Sequence, residues 1–196
     1  MSTSQFKFVL AGSAFAGKSC LVQRLLFNNW IDVPQQPTLS VAYNYHQFSK
    51  GNETVEISIW DTCGGEKFST IVATYLRGVD VAMLCFCQHD SHTNLTSCLP
   101  WISRIKELSP DAVIIAIATK LDESPLNVDE IKPILEQHNI SLFYQTSAKT
   151  GFGCAELLKK MKDLAFTLQS NLSNKNDEGI VDIYSNNSRP NNGCNC

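Results

Sequence analysis

Long apolar runs and excess positive charge are absent from this sequence. No run approaches the roughly 18 apolar residues that a membrane-spanning helix requires, and the beginning, MSTSQFKFVLAG, lacks a charged segment followed by an apolar one. That beginning argues against a secretory signal. The formal net charge of -3 argues against the large basic surface of a nucleic-acid-binding protein. We therefore expect a cytosolic chain that binds no nucleic acid and keeps its cysteines reduced.

The length and composition suit one folded domain followed by a tail. A chain of 196 residues, 43% hydrophobic and 18% charged, is long enough to bury one full core. From about Ser170 the sequence SNLSNKNDEGIVDIYSNNSRPNNGCNC is rich in asparagine and serine and cannot build a core. The sequence therefore predicts a domain over residues 1–170 and a flexible tail over residues 171–196. Cysteines with apolar neighbours are interpreted as packing residues: Cys20, Cys63, Cys85, Cys87, Cys98 and Cys154.

Strand-like and helix-like segments alternate along the predicted domain. VDVAMLCFC (79–87) and VIIAIAT (113–119) are apolar throughout, which is typical of a parallel sheet covered on both faces. YNYHQFS and TVEISIW are separated by KGNE, which predicts a hairpin and hence one antiparallel strand. We predict an α/β fold with a mostly parallel six-stranded sheet, one antiparallel edge strand and helices on both faces.

The predicted helices follow from apolar residues at helical spacing. One of them contains Pro100, which lacks the N–H needed inside a helix. Either the helix begins at Pro100 or it is kinked there. The helical regions are expected near residues 18–28, 92–108, 129–138 and 154–169.

A glycine-rich motif follows the first predicted strand. Residues 12–19, GSAFAGKS, match GxxxxGK[ST] between an apolar strand and an amphipathic helix, which makes the expected fold that of a P-loop NTPase. The glycines let backbone N–H groups turn towards phosphate oxygens at a helix N-terminus. Lys18 is expected to reach the outer phosphates and Ser19 to bind Mg²⁺. The residues expected to contact nucleotide here are Ser13, Ala14, Phe15, Ala16, Gly17, Lys18, Ser19 and Cys20.

The stretch IWDTCGGE (59–66) places an aspartate and two adjacent glycines after another apolar strand. Glycine is costly to order, so a pair indicates either a turn or a close approach of the backbone to another group. P-loop enzymes use an aspartate outside the glycine-rich loop to hold Mg²⁺. Beside a phosphate loop, Asp61 is expected to have this role. Gly64 is expected to bring its N–H against a terminal phosphate, where a β-carbon would obstruct the approach.

Two later motifs predict which base is bound. TKLD (119–122) and SAK (147–149) follow successive apolar strands, at the carboxyl ends where such sheets bind ligands. The carboxylate of Asp122 can accept from two neighbouring N–H groups of guanine, which adenine does not offer. The stem of Lys120 can lie along the base, and SAK can present backbone N–H groups to the guanine carbonyl oxygen. The residues expected to bind the base are Thr119, Lys120, Asp122, Ser147, Ala148 and Lys149.

Together these motifs resemble those of the small GTPases of the Ras superfamily, over residues 6 to about 170. Within the superfamily the sequence is most similar to the Rab branch, because IWDT, KFSTIVATYLRG and the Cys-x-Cys end fit Rab patterns. Rabs usually carry asparagine at the position of Thr119, and the threonine is familiar from the Rho branch. The extra Rho insert after Asp122 is missing, however. The resemblance implies a GTP/GDP-regulated switch of vesicle trafficking that hydrolyses GTP.

The resemblance also implies roles that the motifs alone do not. Thr38 would bind Mg²⁺ and the γ-phosphate together with Gly64. Trp30 would lie over the guanine, a core tryptophan being the alternative, and Tyr75 and Arg77 would lie in the second switch. The implied partners are effectors bound through the switch regions, an exchange factor, a GTPase-activating protein and an escort or GDI-type protein. The chain is expected to be a monomer.

Two departures from the family pattern bear on catalysis. Gly65 stands where the family usually has the glutamine that positions the attacking water, and Ala14 where many relatives have glycine or serine. Because a glycine cannot orient water through a side chain, slow intrinsic hydrolysis and a GTP-biased population are predicted. The implied catalytic positions are Lys18, Thr38, Gly64 and Gly65, and the implied metal ligands are Ser19, Thr38 and Asp61.

The C-terminal CNC does not match the C-a-a-X lipidation pattern. It resembles the Rab end that receives two geranylgeranyl groups, here on Cys194 and Cys196. The tail has few cations, so stable attachment would need two lipid chains. The resemblance therefore implies prenylation and a place on the cytosolic face of intracellular membranes. An apolar island in the tail is either a docking strip for an escort protein or a local cluster: Ile180, Val181, Ile183 and Tyr184.

Three other functions stay open on the sequence. A pseudo-GTPase that binds nucleotide without turnover is compatible with Gly65, and a Rho-like signalling GTPase is compatible with Thr119. A P-loop kinase would need a lid of arginines, and the chain has few, none of them clustered: Arg24, Arg77, Arg104 and Arg189.

Overall fold

The computed structural model describes residues 4–30, 38–64, 69–88 and 91–185, with side chains as far as residue 173. Strands and helices alternate along these residues. In chain order the elements are β1 (Ser4–Ala11), α1 (Lys18–Phe27), β2 (Ala42–Lys50), β3 (Glu53–Asp61), α2 (Ser69–Tyr75), β4 (Val81–Phe86), α3 (Leu95–Leu108), β5 (Val113–Ala118), α4 (Val128–Gln137), β6 (Leu142–Gln145) and α5 (Cys154–Ser185).

The strands form one six-stranded sheet in the order β2-β3-β1-β4-β5-β6. β2 is antiparallel to β3, and the other neighbouring strands are parallel. Gly51 and Asn52 form the turn between β2 and β3, with Gly51 at φ 61, a left-handed backbone that glycine adopts without steric cost. The predicted α/β fold with one antiparallel edge strand is confirmed.

Alternate residues of the central strands pack against helices on opposite faces of the sheet. On one face the core joins the sheet to α1 and α5 through residues such as Leu10, Leu21 and Met161. On the other face it joins the sheet to α3 and α4 through Ile102 and Ile131. Because both faces are covered, β4 is buried along its whole length, which explains why its sequence is apolar throughout.

Helix α2 is not predicted by the sequence. It has 7 residues, STIVATY, and its β-branched residues lower helix propensity. Val72 and the following Leu76 are fully buried, in a cluster that includes Val9 of β1 and Ile105 of α3. Tertiary burial therefore stabilises a helix that local propensity does not favour.

Pro100 does not begin α3, so one of the two interpretations of this proline is wrong. The side chain of Asn94 accepts a hydrogen bond of 2.9 Å from the Ser97 N–H, and this cap starts the helix at Leu95. Pro100 consequently lies inside the helix.

Helix α5 continues to Ser185, beyond residue 169 where the sequence predicts its end. Once a helix has formed, each further residue adds one hydrogen bond for one residue ordered, so a polar segment can prolong it. The predicted division of the chain at residue 170 falls within α5 and stays a prediction. Within the described ranges, every helix is too short or too polar to cross a bilayer.

Candidate functional site

The carboxyl ends of the parallel strands meet at one edge of the sheet. Leu10 of β1 pairs with Asp61 at the end of β3, and Ala118 of β5 pairs with Gln145 of β6. This register brings the glycine-rich loop, Asp61, TKLD and SAK to the edge at which α/β sheets bind ligands. Motifs that are far apart in the sequence are therefore neighbours in the fold.

The loop of residues 12–17 between β1 and α1 depends on left-handed backbone conformations. Gly12 has φ 137, Phe15 has φ 63 and Gly17 has φ 75. A β-carbon at Gly12 would lie 2.2 Å from the backbone oxygen of Cys85 on β4, so a larger residue does not fit. Gly17 is the N-cap of α1, and the loop therefore leads directly into the positive end of a helix dipole, which favours anions.

Lys18 is the buried cation of this loop. Its Nζ donates hydrogen bonds to the carbonyl oxygens of Gly12 (3.0 Å) and Ser13 (2.8 Å). Burial lowers the pKa of Lys18, and neighbouring groups that include Asp61 act in the opposite direction. Because an ammonium has three donors, Lys18 keeps one for an anion in the loop.

Ser19, Thr38 and Asp61 form the polar group beside the loop. Ser19 Oγ lies 2.9 Å from Thr38 Oγ1. Asp61 is 4% exposed, and its Oδ1 has no hydrogen-bond partner among the described residues. Burial raises the pKa of Asp61, while a hydrogen bond from Ser19 and the charge of Lys18 lower it. An unpartnered carboxylate oxygen beside two hydroxyls fits Mg²⁺, which binds one or two carboxylates and completes its shell with phosphates and water.

Gly64 packs against the glycine-rich loop. A β-carbon at Gly64 would lie 2.3 Å from the backbone nitrogen of Ala14 and 2.5 Å from its Cα. The first glycine of the pair is therefore required for the close approach of two backbones, beyond any need for a turn. The second glycine, Gly65, lies outside the described residues, as do Cys194 and Cys196.

A pocket lies between α1 and the loops that follow β5 and β6. Trp30 is in its wall and only half-buried, so it is not a core tryptophan. Asp122 accepts a hydrogen bond from Ser147 Oγ, so Ser147 orients a pocket residue without lining the pocket itself. The other residues predicted to bind the base all line it. The lining residues are Gly17, Cys20, Leu21, Trp30, Thr119, Lys120, Asp122, Glu123, Thr146, Ala148 and Lys149.

Thr119 connects this pocket to the glycine-rich loop. Its buried hydroxyl donates to the carbonyl oxygens of Ala16 (2.8 Å) and Phe86 (3.0 Å). The departure from the asparagine usual in Rabs therefore keeps a hydrogen-bond donor at this position.

Arg24 is a residue of this region that the motifs do not reveal. From α1 its guanidinium donates to the carbonyl oxygens of Ala148 (2.6 Å) and Lys149 (2.9 Å). The only signal in the sequence is a basic residue in the last turn of a helix. Such a residue is common because it interacts favourably with the last helix carbonyls, so the signal does not indicate a contact with SAK.

The chain matches proteins of known family. The model of the Ras family matches residues 7–166. Identity to GTP-binding protein ypt4 of Schizosaccharomyces pombe is 32% over 159 residues, which covers 76% of this chain and 67% of that protein. Identity to Ras-related protein Rab-4 of Dictyostelium discoideum is 32% over 160 residues, covering 79% and 76%. Identity to Ras-related protein Rab-4B of Homo sapiens is 31% over 183 residues, covering 90% and 80%.

These matches agree with the geometry of the sheet edge. There the glycine-rich loop, a site suited to Mg²⁺ and the pocket lined by residues predicted to bind the base, here called the base pocket, lie together. The chain therefore belongs to the Ras family, as a divergent Rab-like small GTPase.

Proposed function

We propose that this Rab-like GTPase is a switch of vesicle trafficking that binds GTP with Mg²⁺ and hydrolyses it slowly. The observation that carries the proposal is the meeting of three parts at one sheet edge: the glycine-rich loop, the group of Ser19, Thr38 and Asp61, and the base pocket. Thr38 and Gly64 reach this edge from loops rather than from helices or strands. Loops can rearrange when a γ-phosphate is lost, which is how such switches change state.

Each part has a role in the proposal. Lys18 would hold the outer phosphates with its remaining donor, and Ser19, Thr38 and Asp61 would hold Mg²⁺. The bound ion would neutralise charge on the phosphate oxygens. Asp122, oriented by Ser147, would accept hydrogen bonds from guanine.

The nucleotide assignment is tested by measuring the affinities for GTP, GDP and ATP in the presence of Mg²⁺. Tight binding of both guanine nucleotides over ATP is expected. Asp122→Asn keeps the shape but should weaken guanine binding, because its amide places a donor against the guanine donors. Preference for ATP with transfer to a small acceptor would instead favour a kinase. Binding of GTP without turnover would favour a pseudo-GTPase.

The slow rate is inferred from Gly65, which lacks a side chain to hold the attacking water. Single-turnover hydrolysis by Gly65→Gln should be faster than by the wild type, on the order of 10²-fold if the water becomes correctly placed. Asn52→Gln, in the turn between β2 and β3, is the control and should not change the rate. Equal rates for the wild type and Gly65→Gln would contradict the inference. A GTPase-activating protein that supplies the missing group in trans should accelerate the wild type.

Effectors of this switch would bind aromatic side chains next to the loops that carry Thr38 and Gly64. Tyr43 is 51% exposed and its ring centroid lies 4.8 Å from that of Trp60. The ring of Trp60 lies 5.1 Å from that of Tyr75, so β2, β3 and α2 share one aromatic surface. Trp60 directly precedes Asp61, so the loops at the nucleotide edge border this surface. Tyr43→Ala should abolish binding of partners to the GTP-loaded form. Phe152→Ala, which is 59% exposed but located after β6, should not.

Membrane attachment by prenylation is inferred from the CNC end. Thiols at a chain terminus are accessible nucleophiles, and two lipid chains are needed because the tail has few cations. Replacing both Cys194 and Cys196 by serine should abolish pelleting with intracellular membranes. Asn195→Ser, which keeps both thiols, is the matched control. Pelleting of the double variant would contradict lipidation at this end.

A further inference from the structure

Arg24 makes contacts with two segments, the SAK motif and the C-terminal end of α1. Its Nε donates to the carbonyl oxygen of Ala148 (2.6 Å), and its Nη2 donates to that of Lys149 (2.9 Å). Its Nη1 donates to the carbonyl oxygen (3.1 Å) and the side-chain oxygen (3.2 Å) of Asn28. These are charge-assisted hydrogen bonds, which are stronger than neutral ones.

The acceptors of Arg24 lie in or next to segments that line the base pocket. Ala148 and Lys149 line it, and so does Trp30. Asn28, two positions before Trp30, ends α1 with a left-handed backbone at φ 48. The guanidinium therefore connects the segment that carries Trp30 to the segment that carries SAK.

Holding the two carbonyls also determines the direction of backbone donors. The carbonyl and the N–H of one planar peptide point in opposite directions. Fixing the carbonyl of Ala148 therefore fixes the N–H of Lys149. The N–H of Lys149 is one of the SAK donors proposed to meet the guanine carbonyl oxygen.

We propose that Arg24 is a positioning residue for guanine recognition, which links the SAK segment to the end of α1 and sets the direction of the Lys149 backbone donor. This inference rests on the proposed function, because it requires a guanine nucleotide in the pocket. Arginine suits the role because its planar fork carries five donors in fixed directions. A lysine ammonium is a single point that cannot reach Asn28 and Lys149 in the same way.

The test compares the dissociation of GDP with that of 6-thio-GDP, in which sulfur, a weaker acceptor, replaces the guanine carbonyl oxygen. Arg24→Lys keeps the charge and should release GDP roughly tenfold faster, the effect of losing one or two charge-assisted hydrogen bonds. Its release of 6-thio-GDP should change much less, because that contact is already weak. Arg104→Lys is the matched control and should match the wild type, since Arg104 is exposed on α3 and pairs with Glu107 (3.6 Å).

Asn28→Gly gives a second variant, because glycine tolerates the left-handed backbone and only one acceptor of Arg24 is lost. It should accelerate GDP release by about twofold and change the release of 6-thio-GDP much less. This variant keeps the proposal testable even if Arg24→Lys does not fold. GDP release from both variants at the wild-type rate would overturn the proposal. Equal acceleration for both nucleotides would also overturn it, since Arg24 would then act on the fold as a whole. A wild type that binds neither nucleotide would refute the proposed function itself, and this inference with it.

Discussion

Replacing Asp61 by asparagine should stabilise the folded protein when Mg²⁺ is absent and destabilise it when Mg²⁺ is present. Asp61 is 4% exposed and its Oδ1 has no hydrogen-bond partner in the described part of the chain. An unsatisfied buried polar group costs about 1–3 kcal/mol, and a charged one costs more. Without a cation, Asp61→Asn should therefore raise the free energy of unfolding by about 1 kcal/mol, or the Tm by about 2–4 °C at this chain length.

With Mg²⁺ the order of the two proteins should invert. A ligand that binds only the folded protein stabilises it by about 2.7 kcal/mol at a concentration 100 times its Kd, and the asparagine variant should lose most of this term. The assay is thermal unfolding of GDP-loaded protein in excess EDTA and in excess MgCl₂. Asp111→Asn, which removes an exposed carboxylate, should leave the Mg²⁺ dependence unchanged. A lower Tm for Asp61→Asn in EDTA, or the same Mg²⁺-dependent gain in both proteins, would refute the reasoning.

Three further predictions concern the loop and the pocket. Thr119→Val should lower the free energy of unfolding by about 1–2 kcal/mol, because it removes a buried donor that two carbonyls share; an unchanged midpoint in denaturant would contradict this. Gly64→Ala should weaken GTP binding by at least about tenfold, because its β-carbon would lie 2.3 Å from the nitrogen of Ala14; competition binding checks it. GDP should slow alkylation of Cys20, which lines the pocket, whereas Cys85, whose pKa burial raises to about 12, should stay unmodified with or without nucleotide. Mass spectrometry measures both, and equal labelling of Cys20 in the two states would contradict the pocket assignment.

The fold class and the meeting of the motifs at one sheet edge were predictable because they depend on local patterns. An apolar strand followed by GxxxxGK[ST] can be recognised as such a loop from adjacent residues alone. Asp61, TKLD and SAK each follow an apolar strand directly. Since parallel strands end at the same edge of a sheet, residue order alone indicated that these motifs would meet.

Features that depend on packing between distant segments were not predictable. Helix α2 forms although its residues favour helix weakly, because Val72 and Leu76 are buried. The start of α3 is a different case, because the cap at Asn94 is a local signal that competes with the more conspicuous Pro100. The contact between Arg24 and Ala148 joins residues 124 positions apart, and a basic residue in a last helical turn carries no information about such a partner.

The order of the strands and the presence of a glycine-rich loop, Asp61, TKLD and SAK at strand ends were determined by the sequence itself, since periodicity and residue type at neighbouring positions suffice for them. Only the tertiary structure decided that the backbone of Ala14 lies against Gly64, that Asp61 Oδ1 has no partner among the described residues and that Arg24 donates to the carbonyl oxygens of both Asn28 and Lys149. These properties are distances between atoms that packing brings together, and a local pattern along the chain does not contain them.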